Sequence, residues 1–358
     1  MEVALFTVHK AVSFSEVNRV LAKYFNEKNI KTYDLDFEAF YMPRLNPLKG
    51  FEPWDVMIGT MTVCDAIARH FQMYSQSYYT KHSLFYGVCE GEPRITEQTK
   101  QIFNKRLITP SNFCKEELAK AGITAKAVIP HGIVHSEFQL PQEEVEAFRE
   151  NWKGHKILLY YGNADPRKAV PQMLEALAKV KEKRQDWVLL ISTDNRFFEN
   201  TIMGQPPLNY IINKYKLSHW VVKIGNFGHQ SRHDIALWLN ACDLLLLPSF
   251  CEGFGIPLIE AGACHKTVVC VDAPPMNEIV NDKCAYMVPY RRIEYKAEHP
   301  LMIYKKHIWD LEEFAETVLY ALDNPRETME KAERNYENSL KYSYQNTYSK
   351  FLDVMANL

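Results

Sequence analysis

The chain has 358 residues, 47% of them hydrophobic and 24% charged, which is the balance of a soluble globular protein with room for two domains. Its 42 Lys and Arg against 44 Asp and Glu give a net charge of −2, so composition argues against nucleic-acid binding. The sequence shows no signal-peptide pattern and no run of the ~18 apolar residues that a membrane helix needs. Eight scattered cysteines without a C-x-x-C motif fit a reducing compartment, and we expect a cytoplasmic protein.

Strand-like and helix-like segments alternate from the N-terminus, which predicts parallel α/β layers. Residues 15–26 read as a helix. Residues 69–82 mix aromatic and cationic side chains, and we interpret them as a helix with a buried aromatic stripe, with peripheral contact to a membrane as the alternative. The predicted strands of this half are residues 3–8, 31–36, 56–59, 84–88, 106–108 and 127–129.

A polar, acidic segment at 141–155 is interpreted as a linker, so the predicted domains are 1–140 and 141–339. A second α/β series follows it, and residues 311–358 are helical by pattern. Residues 290–308 fit no element cleanly and are interpreted as an insertion. The predicted strands of this half are residues 157–161, 187–192, 221–224, 244–247 and 268–271.

The most informative segment is LLLLPSFCEGFGIPLIEAGAC at 244–264, which reads as a buried strand, a glycine turn and a helix. Gly253 and Gly255 allow close approach of the backbone to a ligand, and Pro257 suits the first position of a helix. The backbone N–H groups that follow the turn form an anion site. Glu252 and Glu260 flank it with seven residues between them. Because carboxylates repel phosphate, this pair suits the hydroxyls of sugars attached to a phosphate.

Residues 248–260, PSFCEGFGIPLIE, resemble the donor signature of the retaining family-4 glycosyltransferases of the GT-B fold, within the glycosyl transferases group 1. Three further segments resemble that family in the same order, namely 108–138, 160–177 (YYGNADPRKAVPQMLEAL) and 273–280 (APPMNEIV). The resemblance covers roughly residues 105–285. It implies an α/β protein with two Rossmann-like domains facing each other across a cleft, the first for the acceptor and the second for the nucleotide-sugar. It also implies that a C-terminal helix at about 340–358 packs back on the first domain.

The resemblance assigns roles to the two glutamates. Glu260 would accept hydrogen bonds from the donor ribose, and Glu252 would hold hydroxyls of the transferred sugar. The backbone of the glycine turn would contact phosphate or sugar oxygens. The residues of that turn implied to bind donor are Gly253, Phe254, Gly255 and Ile256.

Arg167 and Lys168 are expected to open a helix whose N-terminus meets the diphosphate, where fixed cations stabilise the departing charge. Gly162 and Asn163, in the loop before them, are implied donor contacts. The family usually has an arginine where Asn163 stands, and Arg167 is a candidate substitute for that charge. Two other departures are His265 and Thr267, in place of the usual glycine and proline, and the absence of a glycine pair at 10–15.

Glu90 follows the strand predicted at 84–88, where the family often places a polar residue facing the reaction centre. A plain loop carboxylate is the alternative. The sequence offers no credible metal site. His131 and His135 are separated by Gly132 in a loop, and the Asp34–Asp36 pair is interpreted as chance.

The resemblance implies a retaining, metal-independent glycosyltransferase without a cofactor. It would move a hexose or related sugar from a nucleoside-diphosphate-sugar donor to a hydroxyl of a glycan, lipid or protein-linked acceptor. One alternative is a GT-B protein that binds nucleotide or glycan without turnover, since Asn163 replaces a family arginine. The other is a GT-B sugar-nucleotide epimerase.

Overall fold

The computed structural model describes residues 1–37, 53–76 and 79–358. The strands are β1 Glu2–Thr7, β2 Lys31–Asp36, β3 Trp54–Thr62, β4 Thr80–Val88, β5 Gly91–Pro93, β6 Leu107–Thr109, β7 Ala127–Val128, β8 Lys156–Tyr161, β9 Trp187–Thr193, β10 Val221–Asn226, β11 Leu244–Leu247, β12 Val268–Val271, β13 Tyr286–Val288, β14 Tyr290–His299 and β15 Met302–Trp309. The α-helices are α1 Val12–Glu27, α2 Asp65–Tyr74, α3 Glu97–Phe103, α4 Asn112–Lys120, α5 Gln142–Arg149, α6 Val170–Lys183, α7 Leu208–Lys214, α8 Arg232–Ala241, α9 Ile256–Ala263, α10 Met276–Ile279, α11 Leu311–Asp323, α12 Pro325–Ser339 and α13 Tyr344–Ala356.

These elements form two compact units. The first comprises Met1–Ile133, His299–Tyr304 and Tyr342–Leu358, and the second comprises Val134–Glu298 and Lys305–Lys341. The break between them falls at 133/134, whereas the linker interpretation put it at 140/141. Residues 142–149 of the supposed linker form α5, whose Val145 is buried. A largely polar helix with one narrow apolar stripe is hard to tell from a linker by composition.

The first unit contains a six-stranded parallel sheet in the order β2-β1-β3-β4-β6-β7. Strand β1 is apolar on both faces and has no solvent exposure from Val3 to Phe6, as expected for a sheet covered by helices on both sides. The last helix, α13, also belongs to this unit. Phe351 on α13 packs edge-on against Phe25 of α1, and the Tyr344 hydroxyl donates to Glu27 on the same helix at 2.9 Å.

The second unit contains another six-stranded parallel sheet, in the order β10-β9-β8-β11-β12-β13. Strand β11 matches its predicted bounds, and its four leucines are at most 2% exposed. Strands β8 and β11 are direct neighbours near the centre of the sheet. Because all strands run in one direction, the loops that follow β8, β9 and β11 leave the sheet at the same edge.

The segment 290–308, which fits no element predicted from the sequence, has regular structure. Strands β14 and β15 occupy it, joined by a turn at 300–301, and they belong to a three-stranded sheet in the order β14-β15-β5. Residues Met302–Tyr304 pair antiparallel with Gly91–Pro93 inside the first unit. Residues 292–298 alternate charged with uncharged side chains, which is the two-residue period of a strand, so this pattern was readable in the sequence.

In the described part of the chain, no helix is both long and apolar enough to cross a membrane. Helix α2 buries Phe71 and Tyr74, as the aromatic-stripe interpretation predicts, but it ends at Tyr74, and residues 80–82 of the helix interpreted at 69–82 begin β4 instead. Residues 77 and 78 lie outside the described residues. All eight cysteines are buried and none forms a disulfide.

Candidate active site

A buried cluster of charge lies at the carboxyl edge of the second sheet, where the loops after β8 and β11 meet. Glu252 accepts from Lys168 Nζ through Oε1 at 2.5 Å and from Arg167 Nη1 through Oε2 at 2.7 Å. The three side chains are only 7%, 13% and 12% exposed respectively. The structure therefore brings together three residues that the sequence places 84 and 85 positions apart.

The two cations hold Glu252 in its ionised form. Burial opposes its charge, but Lys168 and Arg167 outweigh burial and lower the pKa of the carboxyl to about 2. Burial, together with Arg167, also lowers the pKa of Lys168, and Glu252 opposes that shift. With Asp165, whose Oδ2 lies 4.0 Å from Arg167 Nε, the cluster therefore holds two largely buried cations and two carboxylates.

The backbone joins the two loops that carry this cluster. Phe250 N–H donates to Arg167 O at 2.8 Å, and Arg167 Nη1 also donates to Cys251 O at 3.2 Å. On the other side of the loop, His307 N–H of β15 donates to Phe250 O at 2.8 Å and Trp309 Nε1 donates to Pro248 O at 2.7 Å. The segment that carries Glu252 is therefore held on both sides, which limits its movement.

Arg167 and Lys168 precede a helix but do not open it. They lie in a short 3₁₀ turn, Pro166–Lys168, in which Asp165 Oδ1 accepts from Arg167 N–H at 3.0 Å. Ala169 then adopts the left-handed conformation, with φ of 54°, before α6 begins. That conformation costs a non-glycine residue about 1 kcal/mol or more, and it separates the 3₁₀ turn that carries the two cations from α6.

The glycine turn has the conformation that its sequence predicts. Gly255 has φ of +111°, a region that side chains rarely tolerate, and it directly precedes α9. Pro257 is the second residue of α9 rather than the first, because the helix starts at Ile256. Phe254 is buried beside this turn. The first N–H groups of α9 have no intrahelical acceptors and face an anion favourably.

Glu260 lies within α9 and is only 2% exposed. Its Oε1 pairs with Arg232 Nη2 at 2.7 Å, and its Oε2 accepts from the Tyr161 hydroxyl at 2.5 Å. Burial and the adjacent Glu260 charge raise the pKa of Tyr161 well above its usual value, so the phenol remains a donor. Each carboxylate oxygen keeps a further lone pair for a ligand hydroxyl.

Sequence reasoning missed Arg232 and Tyr161. Arg232 is the first residue of α8, after a capping box in which Ser231 and Asp234 bond each other reciprocally. Tyr161 ends the apolar run of β8 and reads as a core aromatic. The capping box was a readable signal for the start of α8, but nothing in the local sequence connects either residue to a glutamate on another helix.

Several buried polar atoms near this edge have no hydrogen-bond partner among the residues that the structure describes. They include Tyr160 Oη, Asn163 Oδ1, Ser192 Oγ and Thr193 Oγ1, at the ends of β8 and β9 or just beyond. Leaving such groups unpaired costs about 1–3 kcal/mol each, so they fit a site that takes a polar ligand. Gly162 lies among them, and a Cβ there would be 2.7 Å from Tyr160 Oη.

The departures at His265 and Thr267 have structural explanations. His265 has φ of 53° just after α9 and stacks on Tyr336 with ring centroids 3.8 Å apart. Thr267 is fully buried and donates from its hydroxyl to Cys284 O at 2.8 Å. Both contacts connect the end of α9 to neighbouring elements of the second unit.

Glu90 lies in the first unit, directly after Cys89 at the end of β4, and it is 7% exposed. The backbone beside it is fixed, because Cys89 N–H donates to Cys114 Sγ at 3.3 Å and Cys114 Sγ donates to Cys89 O at 3.1 Å. A solvated loop carboxylate would be exposed, so this burial does not fit the plain-loop alternative. His131, also in this unit, is buried, and burial lowers its pKa to about 3, which keeps it neutral.

Comparison with known proteins shows which family the chain resembles. The model for glycosyl transferases group 1 matches residues 142–339. The chain is 23% identical to an uncharacterized glycosyltransferase 335 of Sulfolobus islandicus rod-shaped virus 1, over 99% of this chain and all of the viral one. It is 24% identical to the O-antigen chain mannosyltransferase B of Escherichia coli over 50% of this chain, and it spans only 46% of that relative. Among solved structures it is similar to Anabaena HepE in complex with UDP-glucose, with a TM-score of 0.75, 13% identity and complete coverage of both chains.

Proposed function

Because this chain belongs to the glycosyl transferases group 1 and has the GT-B fold, we propose that it transfers a sugar from a nucleoside-diphosphate-sugar to a hydroxyl acceptor with retention at the anomeric carbon. The observation that carries the proposal is the buried Arg167–Glu252–Lys168 cluster. It combines two fixed cations, which can bond a diphosphate, with a carboxylate that a sugar hydroxyl can bond.

The donor binds to the second unit in this proposal. Glu260 accepts from the ribose hydroxyls, and Tyr161 and Arg232 hold its carboxylate in place. Glu252 accepts from hydroxyls of the transferred sugar, and the first amides of α9 bond phosphate or sugar oxygens. The UDP-glucose bound to HepE supports a nucleotide-sugar as the class of donor.

In the reaction, the bond from the anomeric carbon to the diphosphate oxygen breaks and a bond to the acceptor oxygen forms on the same face. The departing diphosphate oxygen takes the acceptor proton. Arg167 and Lys168 stabilise the negative charge that develops on that oxygen, a contribution made mainly in the transition state. Such fixed cations make a divalent ion unnecessary, and metal independence is part of the proposal.

The acceptor class in this proposal is a hydroxyl of a glycan, a lipid or a protein-linked sugar, and the transferred sugar is a hexose or a close relative. Relatives named for the O-antigen chain and for phosphatidylinositol point to these acceptor classes. Assignment to family 4 belongs to the same proposal and rests on the spacing of Glu252 and Glu260.

The test is a panel of nucleotide-sugars, with release of the nucleoside diphosphate measured with and without acceptor sugars. We expect hydrolysis or transfer from one donor, survival of activity in EDTA, and retained anomeric configuration by NMR. Arg167→Ala and Lys168→Ala should both slow the reaction, whereas Lys153→Ala should not, since Lys153 is 79% exposed.

Two results would contradict the proposal. Tight nucleotide binding without turnover of any donor would favour the non-catalytic alternative, and interconversion of the sugar on its nucleotide without transfer would favour an epimerase. Loss of activity in EDTA that manganese restores would contradict metal independence alone.

A further inference from the structure

The outer strand of the three-stranded sheet, β14, has an edge with no strand neighbour among the described residues, because β15 pairs on its other side. It is ten residues long and contains neither proline nor glycine. Its Tyr295 is 58% and its Ile293 40% exposed. Natural proteins usually shorten or interrupt such an edge, because its unpaired backbone groups invite pairing with another strand.

Successive side chains of a strand point to opposite faces, so β14 separates into two sets. One face carries Arg292, Glu294, Lys296 and Glu298, which alternate in sign. Within the chain, Arg292 and Lys296 both reach Glu294, at 2.7 and 3.1 Å, and Lys306 pairs with Glu298. Arg292 and Lys296 are 65% and 48% exposed, so their ion pairs with Glu294 contribute little to the stability of the chain. Replacing them with ion pairs to another strand therefore costs little free energy.

This alternation is self-complementary in one antiparallel register. If two copies of β14 pair about a twofold axis at Tyr295, Arg292 lies opposite Glu298 of the second copy and Glu294 opposite Lys296 of the second copy. Every charge on that face then meets its opposite. Cross-strand pairs of opposite charge stabilise a sheet, and like charges placed opposite each other destabilise it.

The two neighbouring registers place like charges opposite each other. With the axis at Glu294, Arg292 lies opposite Lys296 and Glu294 opposite itself. With the axis at Lys296, Glu294 lies opposite Glu298 and Lys296 opposite itself. A shift of the pairing register by two residues therefore places like charges opposite each other. A shift by one residue would place the charged face of one strand on the same side as the apolar face of the other.

We propose that β14 is the interface of a homodimer, in which the two β14 strands pair antiparallel about Tyr295 and join the two sheets into one. The interface is isologous, as the symmetry of a twofold dimer requires. On the other face Tyr295 meets its own copy and Ile293 meets Ala297 of the second copy, which covers the exposed apolar side chains. The proposal does not depend on the function proposed above.

The first test exchanges charges across the axis. Wild type should sediment at about twice its 41.7 kDa mass at micromolar concentration. Arg292→Glu or Glu298→Arg alone should give monomers, and the two together should restore the dimer. The control Arg326→Glu, on a side chain that is 95% exposed on α12, should leave the dimer unchanged. A monomeric wild type, or a double variant that fails to recover, would overturn the interface.

The second test is independent of any loss of stability in those variants. Tyr295→Cys places a thiol opposite itself, within reach of a disulfide across the pair. Mild oxidation should convert this variant to a covalent dimer at least tenfold faster than Met329→Cys, whose site is 70% exposed, and the native thiols are all buried. Equal rates for the two variants would refute the register. A third outcome is a wild type that is monomeric and binds anionic vesicles. If Tyr295→Ala then loses that binding, β14 contacts a lipid surface and the dimer is overturned.

Discussion

The two units have nearly the same architecture, six parallel strands with helices, but they differ in what they bury at the carboxyl edge of the sheet. In the second unit that edge holds Arg167, Lys168, Glu252 and Glu260, all largely withdrawn from water. In the first unit Glu90 is the buried carboxylate at the end of β4. Since burying charge is costly without compensation, these charges are paired with one another, and their concentration in the second unit supports the proposal that the nucleotide-sugar binds there.

The largest expected effect is that of Glu252→Ala. It removes the proposed contact to the transferred sugar and a carboxylate shared by two buried cations, so turnover should fall by about 10- to 100-fold, the equivalent of losing about 1.5–3 kcal/mol from one charged hydrogen-bond partner. Affinity for the bare nucleoside diphosphate should not fall, because Arg167 and Lys168 remain. Initial rates and calorimetry measure the two quantities, with Glu199→Ala, an exposed glutamate of the same unit, as the control. An equal loss of nucleotide affinity would place Glu252 on the nucleotide instead.

Glu260→Ala should act on binding itself. Ribose is common to every donor, so affinity for nucleoside diphosphate should fall by roughly tenfold or more, again from ~1.5–3 kcal/mol. Tyr161→Phe removes only one donor to Glu260, and about 0.5–1.5 kcal/mol predicts a smaller loss of the same kind. Unchanged calorimetric affinity for Glu260→Ala would contradict the ribose assignment.

The substitution Glu90→Gln tests the role proposed for Glu90 in the first unit. A carboxylate that orients the acceptor or steadies positive charge at the anomeric carbon acts in the transition state, so kcat should fall, by about tenfold, more than the donor KM rises. Steady-state kinetics with varied donor and acceptor separate the two parameters. Wild-type kcat in Glu90→Gln would give this carboxylate a purely structural role and sharpen the contrast between the units.

The smallest effect expected is on the pH profile. Because the pKa of Lys168 is lowered by burial, Lys168 loses its proton at a lower pH than an ordinary lysine, and activity should decline on the alkaline side. Lys168→Arg should move that decline to higher pH, since a guanidinium stays protonated. Rates measured between pH 6 and roughly 10 test this, and an identical alkaline limb in both proteins would assign it to another group.

Glu252 should not contribute an acid limb near neutrality. Its folded pKa of about 2 lies below the ordinary value of 4.5. The stability it confers is therefore complete above pH 4.5 and is lost as the pH falls toward 2. Acid unfolding of wild type and of the Glu252→Ala variant compared over that interval isolates this contribution.

Much of the second unit could be predicted because its determinants are local. The run at β11, the glycine turn and Pro257 are consecutive in sequence, and Gly255 has the backbone conformation that only a glycine adopts easily. The α/β layers and the GT-B fold followed from the alternation of elements and from the resemblance. The roles of Glu252, Glu260, Arg167, Lys168 and Glu90 stay predictions until variants are measured.

What could not be predicted depends on distant contacts. Tyr161 and Arg232 converge on Glu260 only once β8, α8 and α9 are packed, and no spacing in the sequence encodes that. The left-handed Ala169, which separates Lys168 from α6, violates a local preference and is stable only in its tertiary context. Strand β14 was missed although residues 292–298 alternate charged with uncharged side chains, and those same charges define its register in the proposed dimer.

The burial of all eight cysteines has a practical consequence. A thiol reagent can reach them only when the surrounding structure opens, so their labelling rates measure opening rather than intrinsic reactivity. Cys64, Cys89 and Cys114 report on the first unit, and the remaining five, from Cys242 to Cys284, report on the second. Mass spectrometry of partially labelled protein in mild denaturant would therefore give the opening free energy of each unit separately, from a wild-type chain that needs no added probe.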